Sequence, residues 1–158
     1  MRITTRQDIA APIAQVFAEV TDATAFERQA LRRGAEVVRL DRLPALAVGS
    51  SWRVAFSFRG REREAAVAVT RLEAPTLVSA TIESGGLHGA TVAELLALSR
   101  TTTRLVLTFD LEATTLTSRL LLQTLKLARG TFERRAEGRV ATWAREVEAR
   151  WQRRAARR

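Results

Sequence analysis

The last third of the chain carries one long amphipathic pattern, and this pattern limits the folds that the sequence can adopt. From Leu116 to Trp151, apolar residues recur at intervals of three to five, while Arg and Glu crowd the opposite side. A straight helix of this span is roughly 54 Å long at about 1.5 Å per residue, which exceeds the size of a small domain. We therefore expect a break or bend at Gly130 or Gly138. We also expect the basic tail 153–158 to fray, because it has no apolar partner.

The middle of the chain has the period of two that is typical of antiparallel strands. A segment that ends at Phe58 alternates large apolar residues with small or charged ones, so it predicts one apolar and one solvated face. Arg59-Gly60 then predicts a tight two-residue turn, which pairs Phe58 with Arg61 and Phe56 with Arg63. Because cross-strand partners share a face, the aromatic side of the first strand continues onto the second strand.

The other segments complete an α+β arrangement. One short helix is expected after Pro12 and a second over 25–33, ending at Gly34. Further strands flank the hairpin, at 2–9, 35–41, 76–83, 88–98 and 103–112. An antiparallel sheet with one apolar face must cover that face, and the long helix is the element able to do so. The sequence thus predicts a helix-grip fold in a single domain of residues 1–158. In this fold a curved antiparallel β-sheet wraps around a long C-terminal α-helix, with two short helices after the first strand.

Composition excludes several classes of site. The chain of 158 residues has no Cys, so disulfides, thiolate zinc sites and Cys nucleophiles are impossible, and its one His rules out a His-rich metal centre. The sequence implies no metal or redox cofactor. It shows no signal peptide and no apolar run of the length that spans a bilayer, so we expect a cytoplasmic protein.

The net charge of +9 invites a nucleic-acid interpretation, since clustered cations release counterions from phosphates. However, 25 Arg stand against one Lys, beside 27 Ala and 19 Leu, and a coding bias would produce the same composition. Residues 134–158 hold nine Arg and three Glu, and most of these should form a solvated helix face. We expect no specific nucleic-acid partner, although a basic interaction module remains an alternative.

Four segments resemble the SRPBCC (START-like) superfamily, in particular its bacterial polyketide cyclase/dehydrase and lipid-transport proteins. These segments are IAAPIAQVFAEVTD at 9–22, FERQALRRGAEV at 26–37, VGSSWRV at 48–54, and ELLALS before the last strand and long helix. The resemblance implies an apolar cavity between the sheet and the C-terminal helix, which in this superfamily holds lipids, sterols, hormones or polyketides. A minority of its members catalyse cyclisation or dehydration, and others act as chaperone cofactors or accessory subunits.

These arguments together predict binding of a small apolar molecule in such a cavity. No catalytic residue is assigned, so an enzyme is the less favoured interpretation, with a cyclase- or dehydratase-like enzyme as the alternative. The predicted cavity-lining residues lie on the strand faces and on the helix, and are Trp52, Val54, Phe56, Phe58, Arg63, Val67, Ala80, Ala93, Leu107, Phe109, Leu125 and Phe132.

The sequence also predicts the positions and roles of three kinds of polar residue. Arg61 and Arg63 can bind a carboxylate or phosphate head group at the cavity rim, or they can reach solvent or pair with Glu62 or Glu64. His88 is the natural acid or base if the protein is an enzyme, and otherwise an exposed loop histidine. Glu94 is expected on the solvent face, because burying an unpaired carboxylate is costly.

Overall fold

The computed structural model describes residues 1–158. Seven strands and four helices follow one another along the chain as β1 (Arg2–Ile9), α1 (Ile13–Val20), α2 (Ala23–Arg32), β2 (Glu36–Arg39), β3 (Ser51–Phe58), β4 (Arg61–Glu73), β5 (Leu77–Ser84), β6 (Leu87–Ala97), β7 (Thr103–Ala113), α3 (Leu116–Leu127) and α4 (Arg129–Ala156).

All seven strands form one antiparallel sheet in the order β1-β7-β6-β5-β4-β3-β2. The first strand pairs with the last, and α1 and α2 carry the chain from one edge of the sheet to the other. The curved sheet, the long C-terminal helix and the two short helices confirm the predicted α+β helix-grip architecture. None of the helices combines the length and the apolar character that a membrane span requires.

The hairpin between β3 and β4 has the predicted register. Arg59 and Gly60 both have positive φ, of 55° and 72°, which is the backbone of a type I′ turn. Phe58 lies opposite Arg61 and Phe56 lies opposite Arg63. The aromatic face of β3 therefore continues onto β4.

The second short helix and the strand after it differ slightly from their predicted limits. Helix α2 begins at Ala23 because the Asp22 side chain accepts the N–H of Ala25 and caps the first turn. Strand β2 covers four residues, whereas the sequence predicted seven. It ends early because the Asp41 carboxylate accepts the N–H groups of Leu43 and Ser51, which turns the chain toward β3.

The C-terminal helix breaks at Ala128, two residues before Gly130, and Gly138 lies inside α4. The break is set by tertiary packing, because α3 lies against β7 while α4 lies along β1. Beyond Gln152 the helix continues to Ala156, where the sequence predicted fraying. Arg154 Nη1 donates to Gln15 Oε1 of α1 at 3.0 Å, which gives this turn a polar partner.

Helix α3 turns a different side inward from the one its leucine spacing indicated. Leu116 and Leu120 are exposed, whereas Ser118 and Leu122 are buried. A capping box between Thr115 and Ser118 starts the helix and packs directly on the β5–β6 turn. A Cβ at Gly86, whose φ is +83°, would lie 2.7 Å from Thr115 Oγ1. Only glycine allows this close approach, and the approach fixes the rotation of α3.

The tightly packed core lies between α4, α1 and the β1 side of the sheet. It includes Ile9, Val16 and Val147, each fully buried. Two polar contacts hold α4 along β1. Arg129 Nη2 donates to the Arg2 carbonyl at 2.8 Å, and the Ala10 N–H donates to Glu148 Oε1 at 3.0 Å. At the α1 end, Arg150 makes a two-oxygen contact with Glu19.

Candidate functional site

The sheet has an inner face, turned toward α4, and an outer face on the opposite side. Strand pairing places every predicted cavity residue of the sheet on the inner face, because each falls on the same parity as the core residues Ala93 and Leu105. Leu125 on α3 and Phe132 on α4 are half-buried. The arrangement brings the ten predicted strand residues onto one continuous surface.

Burial along this inner face is uneven. On β1, β6 and β7, the core residues Ile9, Leu95 and Leu105 are buried against α1 and α4, although Leu107 and Phe109 are half-buried. On β3, β4 and β5 most inner residues are half-buried, and only Trp52, Ala65 and Val69 are buried. No helix packs extensively on β3, β4 or β5, which make their main contacts with neighbouring strands. We call the partly exposed portion the inner apolar surface; its residues are Val54, Phe56, Phe58, Val67, Ala80 and Ile82.

Trp52 marks the closed end of this surface. Its side chain is only 3% exposed, and helix α2 covers it. The indole Nε1 donates to Glu27 Oε1 at 3.0 Å, and the ring meets Phe26 edge-on at 5.2 Å between centroids. The Arg39 guanidinium lies 5.6 Å from the centre of the indole ring. Trp52 is therefore buried beneath α2, whereas Phe56 and Phe58 further along β3 are only half-buried.

Arg63 stands out on the inner face because its Nε is buried and has no hydrogen-bond partner. The guanidinium lies 5.7 Å from the centroid of Phe58, and Arg59 lies 5.6 Å from the same ring. Glu62 and Glu64 pair with outer-face positions of β3, so neither forms an ion pair with Arg63. The partners that the sequence offered for this cation are therefore on the other side of the sheet.

Thr5 holds the second buried polar atom without a partner. Its Oγ1 lies on the inner face of β1, opposite Leu107, and makes no hydrogen bond. Sequence reasoning missed this residue, although the alternation of Ile3, Thr5 and Ile9 with exposed residues places it inward. The inner face thus carries two unsatisfied polar side chains within an otherwise apolar lining.

A group of cations lies where α2 approaches α4. Burial lowers the pKa of the Arg139 guanidinium, and the nearby charges of Arg33 and Arg135 lower it further. Arg139 forms no ion pair. The sequence could not indicate this group, because only the folded chain brings the end of α2 close to the middle of α4.

His88 lies on the outer face, away from the inner apolar surface. Its Nδ1 is 3.1 Å from Glu83 Oε1, and the side chain is about half exposed. It borders two open depressions of the outer face, of about 440 and 350 Å³. Asp110 also lies on this face, paired with Arg2, and Glu94 is exposed there. An acid–base role for His88 would therefore act outside the predicted cavity.

Known structures share this architecture. A START superfamily protein from Mycobacterium smegmatis aligns with a TM-score of 0.56 and 15% sequence identity, over 87% of this chain and 97% of that chain. The Zhui aromatase/cyclase from a Streptomyces species aligns with a TM-score of 0.66 and 15% identity, over 98% and 95% of the two chains.

A norcoclaurine synthase from Thalictrum, solved as a point mutant with a transition-state analogue, gives a TM-score of 0.67 at 12% identity. The alignment covers 98% of this chain and 96% of the synthase. Neither a protein-family model nor a curated protein matches the sequence. At identities this low the likeness concerns the fold alone. The chain has the START-like helix-grip fold, as its resemblance to the SRPBCC superfamily predicted.

Proposed function

We propose that this protein binds a small apolar molecule in the space between the inner face of the sheet and the C-terminal helices. The observation that carries the proposal is the inner apolar surface. It holds two phenylalanines and four aliphatic residues, and all of them are only half-buried although they face the interior of the fold. Ligand sites in proteins are typically concave and mostly apolar, with few polar groups.

A filled core would leave a different pattern of burial. Tightly packed interiors bury large apolar side chains almost completely. The chain is 46% hydrophobic, yet only 13 of its hydrophobic residues are buried. These buried residues concentrate near β1, α1 and α4, while Phe56 and Phe58, on the same inner face but near its other edge, are only half-buried. An apolar ligand would cover this remaining surface and gain roughly 25 cal/mol for each Å² that it removes from water.

A phenylalanine placed inside the proposed site tests the proposal. Ala80 is half-buried on the inner face of β5, whereas Ala90 is exposed on the outer face of β6. The neutral fluorophore N-phenylnaphthylamine, which brightens in apolar surroundings, serves as the probe. We expect Ala80→Phe to weaken probe binding by about tenfold or more, because the new ring occupies the site, and to leave the unfolding midpoint nearly unchanged. The matched control Ala90→Phe should bind like the unsubstituted protein.

Two results would contradict the proposal. One is a probe that neither binds nor stabilises the unsubstituted protein, since saturation at 100 times the dissociation constant should add about 2.7 kcal/mol to the free energy of unfolding. The other is a loss of about 1–3 kcal/mol of stability in Ala80→Phe without any change in binding, which is the cost of overpacking a filled core. Native mass spectrometry of gently purified protein then identifies any ligand that co-purifies.

A further inference from the structure

Arg63 is the one cation whose side chain reaches the inner apolar surface with a buried, unpartnered nitrogen. A buried donor without an acceptor costs about as much as a lost hydrogen bond, so a fold tolerates it only where something else compensates. The cation–π contact with Phe58 supplies part of this compensation, because the guanidinium carbon of Arg63 lies 5.7 Å from the centre of that ring. The two Nη groups of Arg63 make no hydrogen bond within the protein and, unlike Nε, are not buried, so they are available to a ligand.

The surroundings of Arg63 favour an anion. Arg59 and Arg61 lie on the same hairpin, and neither they nor Arg63 form an ion pair. The acidic neighbours Glu62 and Glu64 are directed to the outer face. The inner side of the fold thus carries positive charge that the protein itself does not neutralise.

We propose that the ligand is amphipathic, with an apolar body that lies on Phe56 and Phe58 and a carboxylate-like oxyanion that binds the guanidinium of Arg63. The two Nη groups of a guanidinium match the two oxygens of a carboxylate, which makes the contact both charge-assisted and directional. This inference rests on the proposed function, because it assigns the chemistry of the molecule held at that same site.

A pair of probes that differ in one anionic group tests the inference. Anilinonaphthalene sulfonate carries a sulfonate on nearly the same ring system as neutral N-phenylnaphthylamine, and both brighten in apolar surroundings. We expect the sulfonate probe to bind the unsubstituted protein about tenfold or more tighter than the neutral probe, as a charge-assisted hydrogen bond allows. Arg63→Gln should abolish this preference, so that the two probes bind this variant with equal affinity.

Two further variants isolate the position of the charge. Arg53→Gln removes a cation from the outer face of the adjacent strand, so it should keep the preference for the anionic probe. Arg63→Lys keeps the charge but loses the two-pronged geometry, so it should retain only part of the preference. Circular dichroism confirms that each variant is folded, and stronger displacement of the sulfonate probe by dodecanoate than by dodecanol extends the result to a carboxylate.

The outcomes distinguish a failure of anion binding at Arg63 from a failure of apolar binding at the inner surface. If both probes bind with equal affinity and Arg63→Gln changes neither, the inference about the anion is overturned while the apolar binding site stands. If the preference for the sulfonate survives Arg63→Gln, or disappears in Arg53→Gln, the anion binds elsewhere and the inference is also overturned. If neither probe binds the unsubstituted protein, the proposed function fails and the inference fails with it.

Discussion

Among single residues, Arg63 has a proposed role in which ligand binding and stability oppose each other. Its buried Nε has no partner in the ligand-free chain, so replacing the side chain by an apolar one of similar length should remove a desolvation penalty. We expect Arg63→Met to raise the free energy of unfolding by about 1 kcal/mol, after allowing for the lost stacking on Phe58. Chemical denaturation of the ligand-free protein measures this difference.

The neighbouring cation on the same strand provides the control for that measurement. Arg61 faces the same way but is exposed, so Arg61→Met should leave the free energy of unfolding nearly unchanged. A destabilised Arg63→Met protein would show that the guanidinium already has adequate partners in the ligand-free fold.

At the scale of elements, the loop that joins β2 to β3 depends on one carboxylate. The side chain of Arg39, followed by the N–H of Ser51, lowers the pKa of Asp41 from 3.8 to about 2. Because the pKa is lower in the folded protein, Asp41 stabilises the fold above pH 3.8, and this contribution disappears as the pH falls toward 2. We expect Asp41→Asn to melt at a lower temperature near pH 7 and to approach the unsubstituted protein as the pH falls through that range. A difference in melting temperature that stays constant from pH 7 to pH 2 would contradict this assignment.

The elements also show which information the sequence contains and which it lacks. Strand alternation and the Arg59-Gly60 turn are local, so they predicted the inner face and the β3–β4 register correctly. The helix break at Ala128 follows from where α3 and α4 pack, and the glycines nearby gave a misleading signal. Likewise, the alternating pattern of a strand is the same whether or not a helix packs on its apolar face. Only the structure could therefore show that Phe56 and Phe58 are incompletely buried.

For the whole molecule, the charge of +9 should give weak and non-specific attraction to polyanions. Three arginines at the end of α4 test this, because Arg153, Arg157 and Arg158 are exposed and form no ion pair, whereas Arg154 contacts Gln15. We expect weak binding to duplex DNA that disappears near 0.15 M salt, where the screening length is about 8 Å. Replacing the three arginines by Gln should also flatten the salt dependence, by about 0.9 in log–log slope for each lost phosphate contact.

Fluorescence anisotropy over a salt series measures both quantities. Sub-micromolar affinity for a defined nucleic acid at physiological salt, lost in the triple variant, would favour the basic interaction module over the ligand-binding protein. Retention of the same slope in the triple variant would place the phosphate contacts elsewhere on the surface.

The two outer strands of the sheet bear on how the protein avoids aggregation. A long exposed edge strand can pair with a strand of another molecule, which is a common route to insoluble assemblies. Strand β2 is only four residues long and includes Glu36 and Arg39, so it offers a short, charged edge. Strand β1 is longer, but α4 runs beside it and contacts the Arg2 carbonyl and the Ala10 N–H at its two ends. Helix α4 therefore also shields the sheet from edge-to-edge growth, and variants that detach it should precipitate through β1.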